Sequence, residues 1–446
     1  MQKNEVNNEI LKVYQELKSR YLLATQLGLS FSCKRDLYQV LGYEKNLTYE
    51  NYFYKYRRQD IANAVVNKII NTTWRGGFEV FEGEETKYTA LENKFKELYN
   101  AKGLKRVLVK ADKLAMIFGY SCIFIGANDV FNLEDLKKPL EKANEVLYFK
   151  AFNPFNIKVE SYETNTKAER YGLPLFYRVT LTNYENQTFD ALVHHSRIIH
   201  VVYDDVFNEI EGASIYESIY NRLEDLEKLV GGSAEMFWRG ARPGYSGKIA
   251  DDFIITDETI KKLQEEIEEY EHDLRRLLLL KGVDLEALQT QIANPAEHVN
   301  IQLQLIAAAT GIPYRILLGS ERGELASTQD REEFLENIYT RRTEYVEPTI
   351  IRPLVDKLIK INVLPEPQTG QYSIKWEDLF SINEENKAKI GQIRTQALAQ
   401  YANALGASAV VPPEAFLEIF LGLSKEQRDL ILSYFESENK NNEIEE

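Results

Sequence analysis

Cysteine is nearly absent: the 446-residue chain carries only Cys33 and Cys122. Two thiols so far apart make no disulfide framework, read as core or surface residues, and fit synthesis in a reducing cytoplasm. Basic residues are in the minority. With 54 Lys+Arg against 69 Asp+Glu the formal charge is −15, which argues against a protein that clamps nucleic acid through a broad basic surface, though not against DNA as a passing object. No apolar run approaches the roughly 18 residues of a membrane span. The densest, Leu277–Leu280, is followed at once by Lys281 and Gly282. The opening stretch MQKNEVNNEI lacks the basic, apolar and small-residue succession of a secretory signal.

Catalytic signatures are missing as well. There is no G-x-x-x-x-G-K-[ST], whose glycine amides and lysine cradle a phosphate, so a P-loop ATPase is excluded. A Rossmann fingerprint, H-E-x-x-H, C-x-x-C and G-x-S-x-G are absent too. The nearest thing to a nucleophilic cluster is His194, His195 and Ser196 in VHHSRIIHV. Read as a strand, it points adjacent residues to opposite faces, so His195 and Ser196 do not converge. Residues 251–276 hold ten acids against four bases. Glu265, Glu266, Glu268, Glu269 and Glu271 share a stretch with a clear apolar seam and read as a solvated helix face rather than metal ligands. No catalytic residue, metal site or cofactor is expected.

What is present is ample core material, 44% hydrophobic residues with 27 Tyr and 21 Phe, and a length that suits two or three domains or one intertwined chain. Residues 1–70 read as mostly helical, through Ile10, Val13, Leu17 and Tyr21 and again Ile61, Ala64, Val65 and Ile69, until Trp74–Arg75–Gly76–Gly77 stops the pattern. A helical segment at 91–119 precedes SCIFIGA and the β-rich runs EVLYFKAF, NIKVESY, LFYRVTLT and SRIIHVVY. From Ala213 the spacing changes. Tyr216, Ile219, Leu223, Leu226, Val230, Ala234 and Phe237 alternate steps of three and four, the seam of a lengthwise-packed helix that ends near Gly240. A second seam runs through Ile260, Leu263, Ile267, Tyr270, Leu274 and Leu277. A third helix opens at Asn294–Pro295, with Glu297 completing a capping-box pattern and Val299, Leu303 and Ile306 as its stripe.

The stretch GIPYRILLGSERGELASTQDREEF, 311–334, interrupts a helical pattern with a glycine-bearing loop that carries Arg315, Gly319, Ser320, Arg322 and Gly323. Beyond it a long helix runs through Phe334, Ile338, Tyr345, Ile350, Leu354 and Leu358, with Pro348 and Pro353 predicting a kink or break. QYSIKW reads as a strand, 384–404 and 413–436 as helices, and SENKNNEIEE as a disordered acidic tail.

The order of these parts resembles the portal proteins of tailed bacteriophages, from about Tyr56 to Phe420. The pieces that carry the likeness are RRQDIANAVVNKIINTTWRGG at 57–77, HHSRIIHV, GASIYESIYNRLEDLEKL, FWRGARPG, and GIPYRILLGSERGELAST running into EFLENIYTRRTEYVEPTIIRPLVDKL. One departure is Glu324–Leu325–Ala326–Ser327–Thr328, where the family often carries small residues and glycine. The resemblance implies an α+β, portal-like fold: a mixed α/β wing with an N-terminal extension at 1–212, stem helices at 213–241 and 294–312, a small clip insertion at 242–293, a channel loop at 313–328, a kinked wing helix and strand at 329–383, a C-terminal helical crown at 384–436 and a disordered tail at 437–446.

It further implies a homo-oligomeric ring of twelve copies at one capsid vertex of the virion. Double-stranded DNA would pass through without sequence specificity. The partners would be the terminase large subunit, head-completion or tail adaptor proteins, and the major capsid and scaffolding proteins, with no membrane. Under this reading the seams Tyr216, Ile219, Leu223, Leu226, Val230 and Val299, Leu303, Ile306 are left exposed in one copy and pack against neighbours around the ring. Gly319 and Gly323 then let the loop follow DNA at the channel's narrowest point, with Arg315 or Arg322 giving brief phosphate contacts or bridging neighbouring subunits. The rival expectations are a phage-associated metal-dependent nuclease using the 265–273 carboxylates, and a non-ring scaffold or adaptor.

Overall fold

The structure is a computed structural model that describes residues 36–82, 88–143, 145–182, 188–241, 245–249, 283–287, 294–319, 326–368, 370–379, 384–404 and 411–422, with isolated positions at 14, 15, 17–22, 261, 265, 406 and 428. The chain divides into two compact units, Met1–Glu377 and Asp378–Glu446.

The first unit opens with helices. After α1 (Leu37–Leu41) comes α2 (Tyr49–Arg58), which starts where Thr48 and Asn51 cap one another's backbone amides. In α3 (Asp60–Thr73), Ala62, Val65, Val66, Ile69, Ile70 and Thr73 fall on one helical face and are buried. It stops at Trp74, as the glycine pair that follows predicts. The helical segment expected at 91–119 is two helices, α4 (Ala90–Ala101) and α5 (Leu104–Phe118), because Gly103 adopts a left-handed conformation between them.

Strand β2 (Tyr120–Ala127) is buried at every position. It is the centre of an antiparallel sheet of order β3-β2-β7, with β3 at Val146–Phe152 and β7 at Ile198–Val202, which explains a continuous apolar run where a half-buried strand would alternate. A second antiparallel sheet, β4-β5-β6, joins Ile157–Tyr162, Pro174–Thr182 and Thr188–His194. Of these, β6 is the strand that the sequence pattern did not single out. Phe124, Phe152, Ile157, Tyr177, Val179, Val193 and Ile198 form one apolar cluster across both sheets, and Cys122 sits inside it as a buried thiol. A short pair, β1 (Phe78–Phe81) with β10 (Ser373–Trp376), ties the early chain to the late chain in the register Phe78↔Trp376; β10 answers the expected strand QYSIKW.

Helix α6 (Tyr220–Ala241) packs along α7 (Ala296–Thr310). Pro295, expected as the first helical residue, stands at the N-cap, so the helix starts one residue later than expected; Asn294, expected as the cap, lies just ahead of it and accepts the Ala296 amide. Between them, strands β8 (Tyr245–Ile249) and β9 (Val283–Ala287) pair antiparallel. The expected seam at 260–277 lies outside the described residues apart from helical positions at 261 and 265. Helices α8 (Tyr314–Leu318), α9 (Ala326–Arg341) and α10 (Arg352–Lys360) follow, with π-helical turns from Arg342 to Ile351 joining the last two.

In the second unit, α11 (Glu384–Asn403) is followed by helical turns over Pro413–Phe420. Tyr401 stacks on Phe416 with ring centroids 4.0 Å apart and bonds the Val411 carbonyl, and Leu417 and Leu421 complete the cluster. Of the helix expected to 436, the part beyond Gly422 lies outside the described residues except residue 428, as does the tail at 437–446.

Candidate functional site

Two of the sequence pieces singled out above, TTWRGG and TRRTEY, meet in the interior. Asp112 on α5 is fully buried and takes both guanidinium nitrogens of Arg341, at 2.5 and 3.0 Å, together with the Trp74 indole N–H at 2.7 Å. Arg342, also buried, donates to the carbonyls of Thr73, Arg75 and Glu377 at 2.7 to 2.8 Å and lies over the Trp376 ring. The carbonyls at the C-terminal end of α3 are thereby satisfied by a cation, the charge its dipole favours there. One arginine neutralises a buried carboxylate and the next caps a helix, so the end of α9 is fixed to the body. The prolines then do their work just beyond this joint. Pro348 lacks an amide hydrogen, and the chain passes it in π-helical turns, with the Arg352 amide bonding the Glu347 carbonyl; Pro353 sits at the start of α10, where a missing amide costs little. The helix widens there instead of breaking.

The start of α6 is held by the N-terminal helices. Lys55 bridges Glu224 at 2.7 Å and Glu227 at 2.8 Å, and although burial pulls its ammonium down, the two carboxylates outweigh that and hold it above its ordinary value. Tyr52 donates to Glu217, Tyr43 to Asp225, and the buried Tyr216 hydroxyl to the Ala62 carbonyl. Burial, then the Glu217 contact, pushes the Tyr52 phenol far up.

These contacts correct the expected seams. Tyr216, Ile219, Leu223 and Leu226 are buried within the single chain, as are Leu303 and Ile306, and Val299 is half-buried. The stripe that looked unsatisfied is covered by α2, α3 and the α6–α7 contact itself, long-range packing that no local pattern reveals. Only its far end stays open, at Val230, 54% exposed, and Phe237, 56% exposed. The exposed apolar surface lies elsewhere. On α7, Ile301 (51% exposed) and Leu305 (45%) sit about half a turn from the Leu303–Ile306 face and point away from it. Helix α7 therefore has two apolar faces, one buried and one bare. The signal was legible as Ile301, Leu305 and Ala308 at steps of four and three, hidden because the stripe 299–303–306 reads first.

The loop is shorter than 313–328. Arg315 lies on helix α8, about half-exposed and 4.0 Å from Asp330 on α9, so it is not a loop residue. Gly319 ends that helix at φ 85, a conformation that a side chain disfavours, with no heavy atom near where a Cβ would stand. Ser320, Arg322 and Gly323 lie outside the described residues, and Ala326 already begins α9.

HHSRIIHV is not one strand. Residues 195–197 form a 3₁₀ turn between β6 and β7, so the pair that converges is His194 and Ser196, with Nδ1 2.9 Å from Oγ. The same Oγ accepts the Leu140 amide, and no carboxylate among the described residues bonds either imidazole. Arg197, buried, forks onto Asp129 at 2.5 and 3.0 Å. His200 donates from Nε2 to the Ile210 carbonyl and stacks on Tyr120. These are bonds that position loops rather than activate a nucleophile. Among the described residues no group of three or more His, Cys, Asp or Glu is placed to hold a metal ion, and no helix is long and apolar enough to cross a membrane. Of the acidic run at 265–273, only Glu265 is described.

A family profile described as "Phage portal protein" matches residues 50–400. A solved structure described as the neck of an empty GTA particle computed with C6 symmetry is 15% identical, over 84% of this chain and 93% of that chain, with a TM-score of 0.51. The virion of a native gene transfer agent particle gives 13% identity over 85% and 94%, with a TM-score of 0.49. An HK97 family phage portal protein from Corynebacterium diphtheriae gives 10% over 74% and 95%, with a TM-score of 0.40. No curated protein matches the chain. The first of these structures shows a shared fold, and at such identity the fold alone.

Proposed function

Because the chain belongs to the phage portal protein family, we propose that it works as a ring of twelve copies whose axis is a channel for double-stranded DNA. The portal role itself, the connector of head and tail in a phage particle, follows from that membership, and neither a nuclease nor a free-standing adaptor is supported by family or fold. The single observation that carries the ring is the second apolar face of α7. Ile301 and Leu305 are large, bare and one helical turn apart, on the side of the helix away from Leu303 and Ile306. Contiguous exposed apolar residues on a packed helix mark a contact surface, and a heterologous contact between identical copies closes into a ring. The buried seam builds the helix pair, and the bare face joins one pair to the next.

The acidic balance suits the channel. A surface rich in carboxylates releases few counterions on meeting a duplex, so DNA slides instead of binding, without regard to sequence. The loop after Gly319 is the segment we assign to the channel wall, and the region of β8 and β9 to the clip, where the terminase large subunit docks during packaging and head-completion or tail adaptors replace it. Residues 329–383 are assigned to the wing and 384–436 to the crown, with the major capsid and scaffolding proteins around them in the virion. Shortening the segment between Gly319 and Ala326 is expected to leave rings intact in electron micrographs while genome packaging fails. Packaging at the normal rate by rings with the shortened loop would remove the channel assignment.

A further inference from the structure

The chain is acidic, yet beside the Arg197–Asp129 pair it gathers basic groups that have no carboxylate of their own among the described residues. Around the 3₁₀ turn of HHSR stand Arg170, Lys357, Lys360, His194 and His195. Lys357 reaches in from α10 and donates to the carbonyls of His195 at 3.1 Å and Ile198 at 2.6 Å. The two histidine rings lie 4.3 Å apart. Arg170 is exposed and donates to the Pro174 carbonyl, and Lys360 is exposed at the end of α10. Among the described residues none of these five has a carboxylate partner. The mutual repulsion is felt: burial, then Arg170 and Lys360, pulls Lys357 down to about 7, and burial, then Arg170, His194 and the two lysines, pulls His195 down to about 3. With both imidazoles held below their ordinary 6.5, Arg170, Lys360 and Lys357 are left as the basic groups without a carboxylate among the described residues, a site for an anion from outside the chain.

The complementary piece stands at the other end of β7. Between Tyr203 and Gly212 the chain carries Asp204, Asp205, Glu209 and Glu211 and no base. Among the described residues, none of the four is in an ion pair. The turn is built firmly. The Asn208 side chain accepts the amides of Ile210 and Glu211, the Gly212 amide bonds the Asn208 carbonyl, and His200 holds the Ile210 carbonyl at 2.7 Å. Gly212 is required, since a Cβ there would stand 2.2 Å from the Tyr203 carbonyl oxygen. At its tip two apolar side chains stand side by side in solvent, Val206 at 76% and Phe207 at 96% exposed.

We propose that the acidic turn at 203–212 of one copy docks on the Arg170–Lys357–Lys360 cluster of the next, its carboxylates supplying the counter-charge and Phe207 the buried anchor. The two pieces sit at opposite ends of a strand whose four residue steps span roughly 13 Å. A copy therefore offers each end to a different neighbour, the head-to-tail arrangement that a ring needs. Association of copies that each carry −15 is opposed by their net charge, and an acid-to-base contact that recurs at every interface offsets it. A duplex is the alternative source of anionic groups. The docking turn is favoured because it is uncompensated, rigid and apolar at its tip, which a phosphate backbone does not explain. The inference rests on the ring reading.

The test is a charge swap in the full-length protein, read as the concentration of half-assembly by mass photometry at low and high salt. Arg170→Glu with Lys360→Glu, and separately Asp205→Lys with Glu209→Lys, are each expected to raise that concentration at least tenfold. Combining all four is expected to restore assembly, which also answers the objection that either pair merely unfolds the chain. Unchanged assembly in both pairs, or loss in both with no rescue in the combination, overturns the docking. So does loss of binding to a short duplex by Arg170→Glu/Lys360→Glu rings that assemble as before, which would assign the cluster to phosphate. If the unaltered protein forms no rings, the ring reading itself fails, a result separate from these.

Discussion

The joint around Asp112 and the outer face of the α6–α7 pair are built on opposite terms. At the joint both oxygens of Asp112 and all three guanidinium nitrogens of Arg342 find partners inside the chain, and the carboxylate is fully buried. On the helix pair the inner face is closed except at its far end, by Val230 and Phe237, while Ile301 and Leu305 on the outer face are bare. The first region closes on itself, whereas the second leaves apolar side chains bare. Under the proposed ring, what the chain needs to fold and what it needs to assemble can therefore be tested residue by residue.

Substitutions at the joint should act on folding. Asp112→Ala leaves the Arg341 guanidinium buried without its carboxylate and the Trp74 N–H without an acceptor, and is expected to cost about 3–5 kcal/mol in denaturant unfolding. A loss below about 1 kcal/mol would show that the joint is dispensable and that the contrast has been drawn in the wrong place. Leu223→Ala on the inner face of α6 is expected to cost roughly 2–5 kcal/mol, since Leu223 is fully buried within one chain. Were Leu223 a contact between copies, as its seam position first suggests, the variant would instead unfold like the unaltered protein and assemble poorly.

A smaller effect sharpens the boundary between the regions by pH. Burial, then Arg170, holds His195 at about 3 in the folded state, below its ordinary 6.5, so between those values the unfolded chain binds the extra proton. Stability contributed by the neutral ring is present above about 6.5 and is lost as pH falls towards 3. His195→Gln is expected to flatten the fall in melting temperature across that window relative to the unaltered protein. Parallel curves for the two proteins would refute it.

How much of this was legible beforehand depends on range. The stop at Trp74–Gly77, the helix start beside Asn294, the strands from β2 to β5 and the two prolines are legible locally, because each is set by backbone chemistry or by period within a dozen residues. What failed was the direction in which an apolar face looks. Leu223 and Leu303 form a convincing seam, but only the placement of α2 and α3, fixed through Lys55, Tyr52 and Tyr216, decides that it is an inner one. For the same reason HHSR reads as strand, with His195 and Ser196 on opposite faces; the 3₁₀ turn that brings His194 to Ser196 instead is stabilised by Leu140, more than fifty residues away. Arg341 and Arg342 show no role in the sequence, since their partners at Thr73, Asp112 and Glu377 are remote in it. Arg315 reads as a loop residue because Gly319 and Gly323 draw the boundary too wide.

The most direct measurement is the solution mass of the purified chain beside that of Ile301→Asp/Leu305→Asp, each with its unfolding curve. The unaltered protein is expected at about a dozen times the mass of one copy, and the double variant as a single chain whose folding stability changes by no more than about 0.5 kcal/mol per site. A native protein that stays single at every concentration, or a double variant that forms the same rings, would contradict the claim that the bare face of α7 is where copies meet.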